Sequence, residues 1–77
     1  MEQKLIELIS SLLRLKREAI TDSLSMKETD VWDSLKHMEL IVSIEETFGI
    51  ELQVNEILAM QSVKEIKRVL TERGVMD

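Results

Sequence analysis

The chain has no cysteine and no proline, only 2 glycines in 77 residues, and few aromatic side chains, at 3%. Without cysteine there is neither a disulfide framework nor a thiolate metal site, so apolar packing has to stabilise the fold. One histidine is too few for a zinc centre, and two aromatics are too few to stack on single-stranded nucleic acid. The sequence therefore predicts no metal site and no nucleic-acid partner.

The charge is acidic and unevenly placed. Ten basic residues face 15 acidic ones, for a net charge of −5, which is the wrong sign for a phosphate backbone or an anionic membrane surface. Residues 22–56 hold nine of the acids and two lysines. No apolar run is long enough to cross a membrane, and no basic leader opens the chain. We expect a cytoplasmic protein without membrane insertion, and a basic partner for its acidic middle.

Apolar spacing predicts an all-α protein. Residues 2–15 repeat apolar side chains at intervals of three, four and seven, as an amphipathic helix does. A second helix is expected over residues 34–48, between an Asp33 N-cap and Gly49. A short helix or turn is expected over residues 54–60. The last helix should begin with a capping box, Ser62 with Glu65, and end near Arg73 and Gly74.

Residues 16–32 lack helical periodicity and predict a long loop between the first two helices, pinned to them by isolated apolar residues. The predicted fold is a small four-helix bundle of three main helices and one short one, forming a single domain over residues 1–77. Both ends of the chain lie close to these helices, so we expect a free-standing monomer.

The second helix has two apolar sets. Leu40, Ile41, Ile44 and Phe48 fall in one sector of the helical wheel and form the predicted core stripe. Leu35, Met38 and Val42 fall in another sector, among Glu39, Glu45 and Glu46. The second set is either a partner-binding face of apolar anchors with an acidic rim, or simply part of a wide core face.

The start of this helix is also informative. With Asp33 as N-cap, Ser34 occupies the first helical position, and its hydroxyl lies at the positive end of the helix, where an attached phosphate is favoured. The alternative is that Ser34 is itself a helix cap, because serine before a helix usually has that role.

The segment Asp33-Ser34-Leu35, continued by Glu39-Leu40 and Glu45-Glu46 and by Phe48, resembles the phosphopantetheine attachment region of acyl carrier proteins. The likeness is strong over residues 25–52 and extends over the whole chain in length, helix order and loop placement. It implies that Ser34 is esterified with 4′-phosphopantetheine from coenzyme A, which would make the chain a phosphoprotein. Acyl groups would then be carried as thioesters on the terminal thiol.

The resemblance also implies roles for other residues. Ser34 would be modified and would not be catalytic, so the chain would be a carrier and not an enzyme. The partners implied are a phosphopantetheinyl transferase and acyl-loading and acyl-processing enzymes with basic patches. The residues expected to contact them are Asp33, Leu35, Met38, Glu39, Val42, Glu45 and Glu46.

Two departures from the family pattern bear on the pathway. Asp30-Val31-Trp32 stands where the family commonly has Leu-Gly, and Lys36 replaces a frequent acid. Trp32 directly before Asp33-Ser34, with His37 following, resembles stand-alone carriers of specialised pathways. Fatty acid, polyketide and related biosynthesis stay open, as do an aminoacyl or peptidyl cargo and an unmodified acidic interaction module. We assign no chemistry to His37, which we expect at the surface or partly packed, and expect Trp32 to be a packing residue.

Overall fold

The computed structural model describes residues 2–76; the ends of the predicted domain, residues 1 and 77, lie outside it. Its helices are α1 (Glu2–Leu13), α2 (Ser34–Phe48), α3 (Val54–Ala59) and α4 (Val63–Glu72), with a short 3-10 turn at Arg17–Ala19. The predicted all-α fold is confirmed, and α2 has the bounds expected from the sequence. No helix in residues 2–76 combines the length and apolar character needed to cross a membrane.

The core lies between α1, α2 and α4. Helix α1 buries Leu5, Ile9 and Leu13, and the other two helices bury the side chains of Leu40, Ile41, Ile44, Val63, Ile66, Val69 and Leu70. Phe48, predicted as a core residue, packs against this cluster but is only partly buried. Each of these three helices thus buries one stripe of its surface.

Helix α1 ends two residues earlier than predicted, because Arg14 leaves the helical conformation. Arg14 has a φ of 58°, in the left-handed region that glycine usually occupies after a helix. The Leu15 N–H donates to the Ser10 carbonyl over 3.1 Å, and the Ser10 hydroxyl donates to the Leu15 carbonyl. These bonds close the end of α1 in place of its next helical turn.

The long loop is attached to the junction between α3 and α4. The Met26 N–H donates to the Gln61 carbonyl over 3.0 Å, and the Val63 N–H donates to the Leu24 carbonyl over 2.9 Å. Ile20 and Trp32 are buried in the core, as the predicted pinning by apolar residues requires. Val31 is the exception, at 41% exposed.

The N-terminal cap of α4 differs in one detail from the prediction. The Ser62 hydroxyl accepts the Glu65 N–H over 3.2 Å, but the Glu65 carboxylate bonds the Arg68 Nε over 2.8 Å, so half of the predicted capping box is replaced by an ion pair. The Glu56 carboxylate accepts the Gln53 N–H over 2.8 Å and so caps α3.

Candidate functional site

Asp33 caps α2. Its backbone is extended, and its carboxylate Oδ1 accepts the Lys36 N–H over 2.9 Å. At the other end of α2, Gly49 has a φ of 67° and donates its N–H to the Glu45 carbonyl. Both ends of the helix are therefore fixed as the sequence predicted.

Ser34 is the first residue of α2 and is exposed. Because Asp33 is the cap, the alternative in which Ser34 caps the helix is wrong. The first amides of a helix have no partner within the helix, and together with the helix dipole they make this end positive. The Ser34 hydroxyl is accessible at a place that favours a covalently attached phosphate.

A buried histidine connects the segment before Ser34 with α3. Trp32 Nε1 donates to His37 Nδ1 over 3.1 Å, and His37 Nε2 lies 2.9 Å from the carbonyl oxygen of Ile57. Since Nδ1 accepts, Nε2 carries the proton and donates to that carbonyl. His37 is 7% exposed, which corrects the expectation of a surface or partly packed residue, and Trp32 is a packing residue as predicted.

This connection is the part of the site that sequence reasoning missed. His37 precedes Leu40, Ile41 and Ile44 by three, four and seven residues, so its spacing alone places it on the buried stripe. A polar side chain on that stripe needs partners, and the structure supplies the Trp32 indole N–H and the Ile57 carbonyl. The two rings are 6.0 Å apart between centroids and tilted by 35°.

The second apolar set of α2 is exposed. Leu35 is 68% exposed, Met38 50% and Val42 49%, so these side chains do not widen the core face. Glu39 and Glu46 are exposed in the same sector of the helix. We call these five residues the α2 face. An exposed apolar set with acidic neighbours is typical of a protein interaction surface.

Besides the cap Asp33, two more of the predicted partner-facing acids have bonds within the chain. Glu45 is half-buried, and its Oε2 accepts the Leu52 N–H over 2.8 Å, so it secures the segment between α2 and α3. Glu39 Oε1 lies 3.3 Å from Lys36 Nζ, which reduces the negative charge next to Ser34. Glu46 and Asp33 are exposed.

Helix α3 adds two exposed apolar residues that the sequence did not single out. Val54 is 73% exposed and Leu58 is 64% exposed, and the intervening Ile57 carbonyl is the acceptor for His37. Because α3 has only six residues, the sequence shows no amphipathic period there that would separate its exposed side chains from its inner ones.

An ion pair attaches α3 to the end of α4. Arg73 Nε and a terminal guanidinium nitrogen each lie 2.8 Å from a carboxylate oxygen of Glu56, and the guanidinium also bonds the Glu51 carbonyl. The Arg73 hydrogen bonds and the Gln53 N–H lower the pKa of Glu56 to about 2. Glu56 is therefore ionised throughout the neutral range and holds α3 in place.

A surface groove lies beside the start of α2. Its volume is about 420 Å³, and it is lined by Leu12, Leu13, Arg14, Asp30, Val31, Asp33 and Lys36. A second groove of about 320 Å³ shares Leu12 and lies between α1 and α2, along Leu8, Ser11, Ser43, Glu46 and Thr47. The first groove combines apolar side chains with two cations, Arg14 and Lys36, and two carboxylates, Asp30 and Asp33.

This geometry suits an attached anionic group better than a reaction. The described structure shows no hydrogen bond from a histidine or carboxylate to Ser34 Oγ that could activate it, since His37 is committed to Trp32 and Ile57. An exposed hydroxyl at a positive helix end can carry a phosphodiester. The residues present therefore fit a phosphopantetheine arm.

Comparisons with known proteins agree with this fit. Residues 3–70 match the family described as "Phosphopantetheine attachment site". The proteins named "Acyl carrier protein" in Rickettsia massiliae (strain Mtu5) and Rickettsia felis (strain ATCC VR-1525 / URRWXCal2) are each 31% identical to this chain over 72 residues. Each alignment covers 94% of this chain and 84% of the relative. From its site geometry and these matches, the chain belongs to the acyl carrier protein family, whose members have a phosphopantetheine attachment domain.

Proposed function

We propose that this chain is an acyl carrier that bears 4′-phosphopantetheine on Ser34 and presents acyl groups to partner enzymes. The observation that carries the proposal is the start of α2, where Asp33 performs the capping and leaves the Ser34 hydroxyl exposed. The α2 face begins one residue later, at Leu35. A partner that binds the α2 face would therefore have the modified serine at the edge of the interface.

The modification is a phosphoryl transfer from coenzyme A. The Ser34 oxygen forms a bond to the phosphorus that bears the pantetheine, the pyrophosphate bond of coenzyme A breaks, and adenosine 3′,5′-bisphosphate leaves. The serine proton passes to a base of the transferase, since no side chain bonded to Ser34 is described in this chain. When bound, the arm supplies a thiol that holds acyl groups as thioesters.

The α2 face and its neighbours are the proposed contact surface. Leu35, Met38 and Val42 supply apolar anchors, and Glu39, Glu46 and Asp33 supply charge that orients a basic partner. Glu45 has a smaller part in this surface than the sequence suggested, because its carboxylate is bonded to the Leu52 N–H.

The chain is proposed to be a carrier without catalysis of its own, serving fatty acid, polyketide or related biosynthesis. Trp32 and Lys36 depart from the common family pattern, and these departures favour a specialised pathway. The Lys36–Glu39 pair also changes the charge next to Ser34 that a partner enzyme meets. An aminoacyl or peptidyl cargo is the second candidate, and assays of thioester formation with acyl-loading and aminoacyl-loading enzymes separate the two.

The test of the proposal is the intact mass of the protein after incubation with coenzyme A, Mg²⁺ and a broad-specificity phosphopantetheinyl transferase. Wild type should gain one phosphopantetheine group, and Ser34→Ala should gain none while keeping its helical content. Ser43→Ala, on the same helix, is the matched control and should be modified like wild type. No gain in wild type with several transferases would leave an unmodified acidic interaction module as the function.

A further inference from the structure

The segment that leads into Ser34 is anchored by one buried side chain. Within residues 27–36, all of which the structure describes, Trp32 is the only buried side chain, at 1% exposed, whereas Val31, Asp33 and Ser34 are exposed. This stretch therefore has no second buried side chain that would fix it against the core. The placement of the Trp32 indole decides where the segment enters α2.

Hydrogen bonds connect both ends of the first turn of α2. The Trp32 indole N–H donates to His37 Nδ1, five residues along the chain, and the His37 backbone N–H donates to the Asp33 carbonyl over 2.8 Å. The Asp33 carboxylate accepts the Lys36 N–H within the same stretch. Helix ends fray, because their first amides have no partner in the helix. These bonds oppose fraying of the turn that contains Ser34.

Helix α3 determines which ring nitrogen of His37 is available to Trp32. His37 Nε2 donates to the Ile57 carbonyl over 2.9 Å, so Nδ1 has no proton and accepts the indole N–H. Because the His37 side chain is buried, water has little access to compete for either nitrogen. One imidazole in α2 therefore connects α3 with the segment before Ser34.

We propose that His37 is a positioning residue for the modification of Ser34, because its bond to the Trp32 indole holds the first turn of α2 in the conformation that a phosphopantetheinyl transferase requires. This inference rests on the proposed modification of Ser34. The His37 ring bonds Trp32 and Ile57, and it lies outside the α2 face on which the transferase is proposed to dock. Loss of the Trp32 bond should therefore slow the transfer step and leave docking unchanged.

Two amide side chains separate the two bonds of the imidazole. Asparagine places its oxygen where His37 has Nδ1, so His37→Asn keeps an acceptor for the indole N–H and loses the bond to Ile57. Glutamine places its amide nitrogen where His37 has Nε2, so His37→Gln keeps the bond to Ile57 and has a carbon opposite the indole. Because Trp32 is the only tryptophan, a single indole N–H signal in NMR reports its bond. Its exchange with solvent should be slow in wild type and His37→Asn, and faster in His37→Gln.

The test measures initial rates of modification by a phosphopantetheinyl transferase, from intact mass, over a range of carrier concentrations. In His37→Gln, kcat should fall about tenfold with KM unchanged, because a small displacement of the serine slows transfer without altering the α2 face. His37→Asn should keep kcat near the wild-type value. Val69→Ala, which removes buried methyl groups from α4, is the matched control for a loss of stability and should keep both constants.

A third variant breaks the bond from its other end. Trp32→Phe removes the indole N–H and leaves His37 in place, and it should lower kcat by about the same factor as His37→Gln. A wild-type kcat in Trp32→Phe or in His37→Gln, a rise in KM in place of the fall in kcat, or equal losses in His37→Gln and His37→Asn would overturn this inference and leave the modification of Ser34 standing. Absence of the mass gain in wild type would overturn the proposed function itself.

Discussion

The two faces of α2 have similar side chains and opposite environments. Leu40, Ile41 and Ile44 are at most 2% exposed, whereas Leu35 and Val42 are about half exposed or more. Hydrophobicity along the helix therefore does not determine which face is buried. The polar groups of the site also fix the orientation, because Asp33 sets the start of the helix and His37 bonds Trp32 and Ile57 with its two ring nitrogens on the inner side.

The strongest test of this difference is a pair of truncations on opposite faces. Leu40→Ala should lower the free energy of unfolding by about 2–5 kcal/mol, because it leaves a cavity in the core. Val42→Ala should change it by less than about 0.5 kcal/mol, because the side chain is half exposed. Urea unfolding followed by circular dichroism measures both. Equal losses would mean that the two faces do not differ in burial.

The next effect concerns the polar residue within the buried face. His37→Phe keeps a ring in place but leaves the Trp32 N–H and the Ile57 carbonyl without their partner, at a cost of about 1–3 kcal/mol. In a double-mutant cycle with Trp32→Phe, the two losses should not add, since both variants break the same hydrogen bond. Additive losses in urea unfolding would contradict the bond.

Charge reversal tests the exposed face. Glu39→Lys with Glu46→Lys should slow modification by a phosphopantetheinyl transferase roughly tenfold at low salt, because steering by the acidic rim is lost. The difference should shrink at 1 M salt, where screening acts over about 3 Å. Glu7→Lys, an exposed acid on α1, is the control and should be modified at the wild-type rate. Equal rates for all three proteins would mean that the acids serve only solubility.

The smallest effect concerns α3, which extends the exposed apolar surface beside α2. The pKa of Glu56 is about 2 in the folded protein and 4.5 in its ordinary state. Its contribution to stability is thus complete above pH 4.5 and is lost as the pH falls towards 2. In Glu56→Gln this part of the acid dependence of unfolding should be missing, whereas Glu51→Gln should keep it. The effect is small because the pair is partly exposed.

The sequence predicted those features of the fold that depend on a few neighbouring residues. Asp33, Ser34 and Gly49 bound α2 as expected, because caps are specified by a few neighbouring residues. Two features escaped it for lack of a local cause: Arg14 ends α1 although its type does not indicate a left-handed backbone, and the loop pairs with residues 61–64 across the chain. The burial of His37 follows from its spacing, but its bonds to Trp32 and Ile57 depend on other segments.

The candidate site was predicted less completely than the fold. Ser34 and the exposed residues of α2 could be singled out, because motif and spacing lie within one helix. The exposed side chains of α3 and the groove beside the start of α2 depend on how separate elements meet, which apolar spacing within a helix does not encode.

Trp32 is the only tryptophan of the chain, and it lies two residues before Ser34 with its indole buried and bonded to His37. The protein therefore has one intrinsic fluorophore, buried in the core two residues before Ser34. Its emission reports a single environment, so unfolding of this region shifts the spectrum to the red without contributions from other tryptophans. Loosening of α3, whose Ile57 carbonyl shares His37 with the indole, can therefore be followed by fluorescence in unlabelled protein.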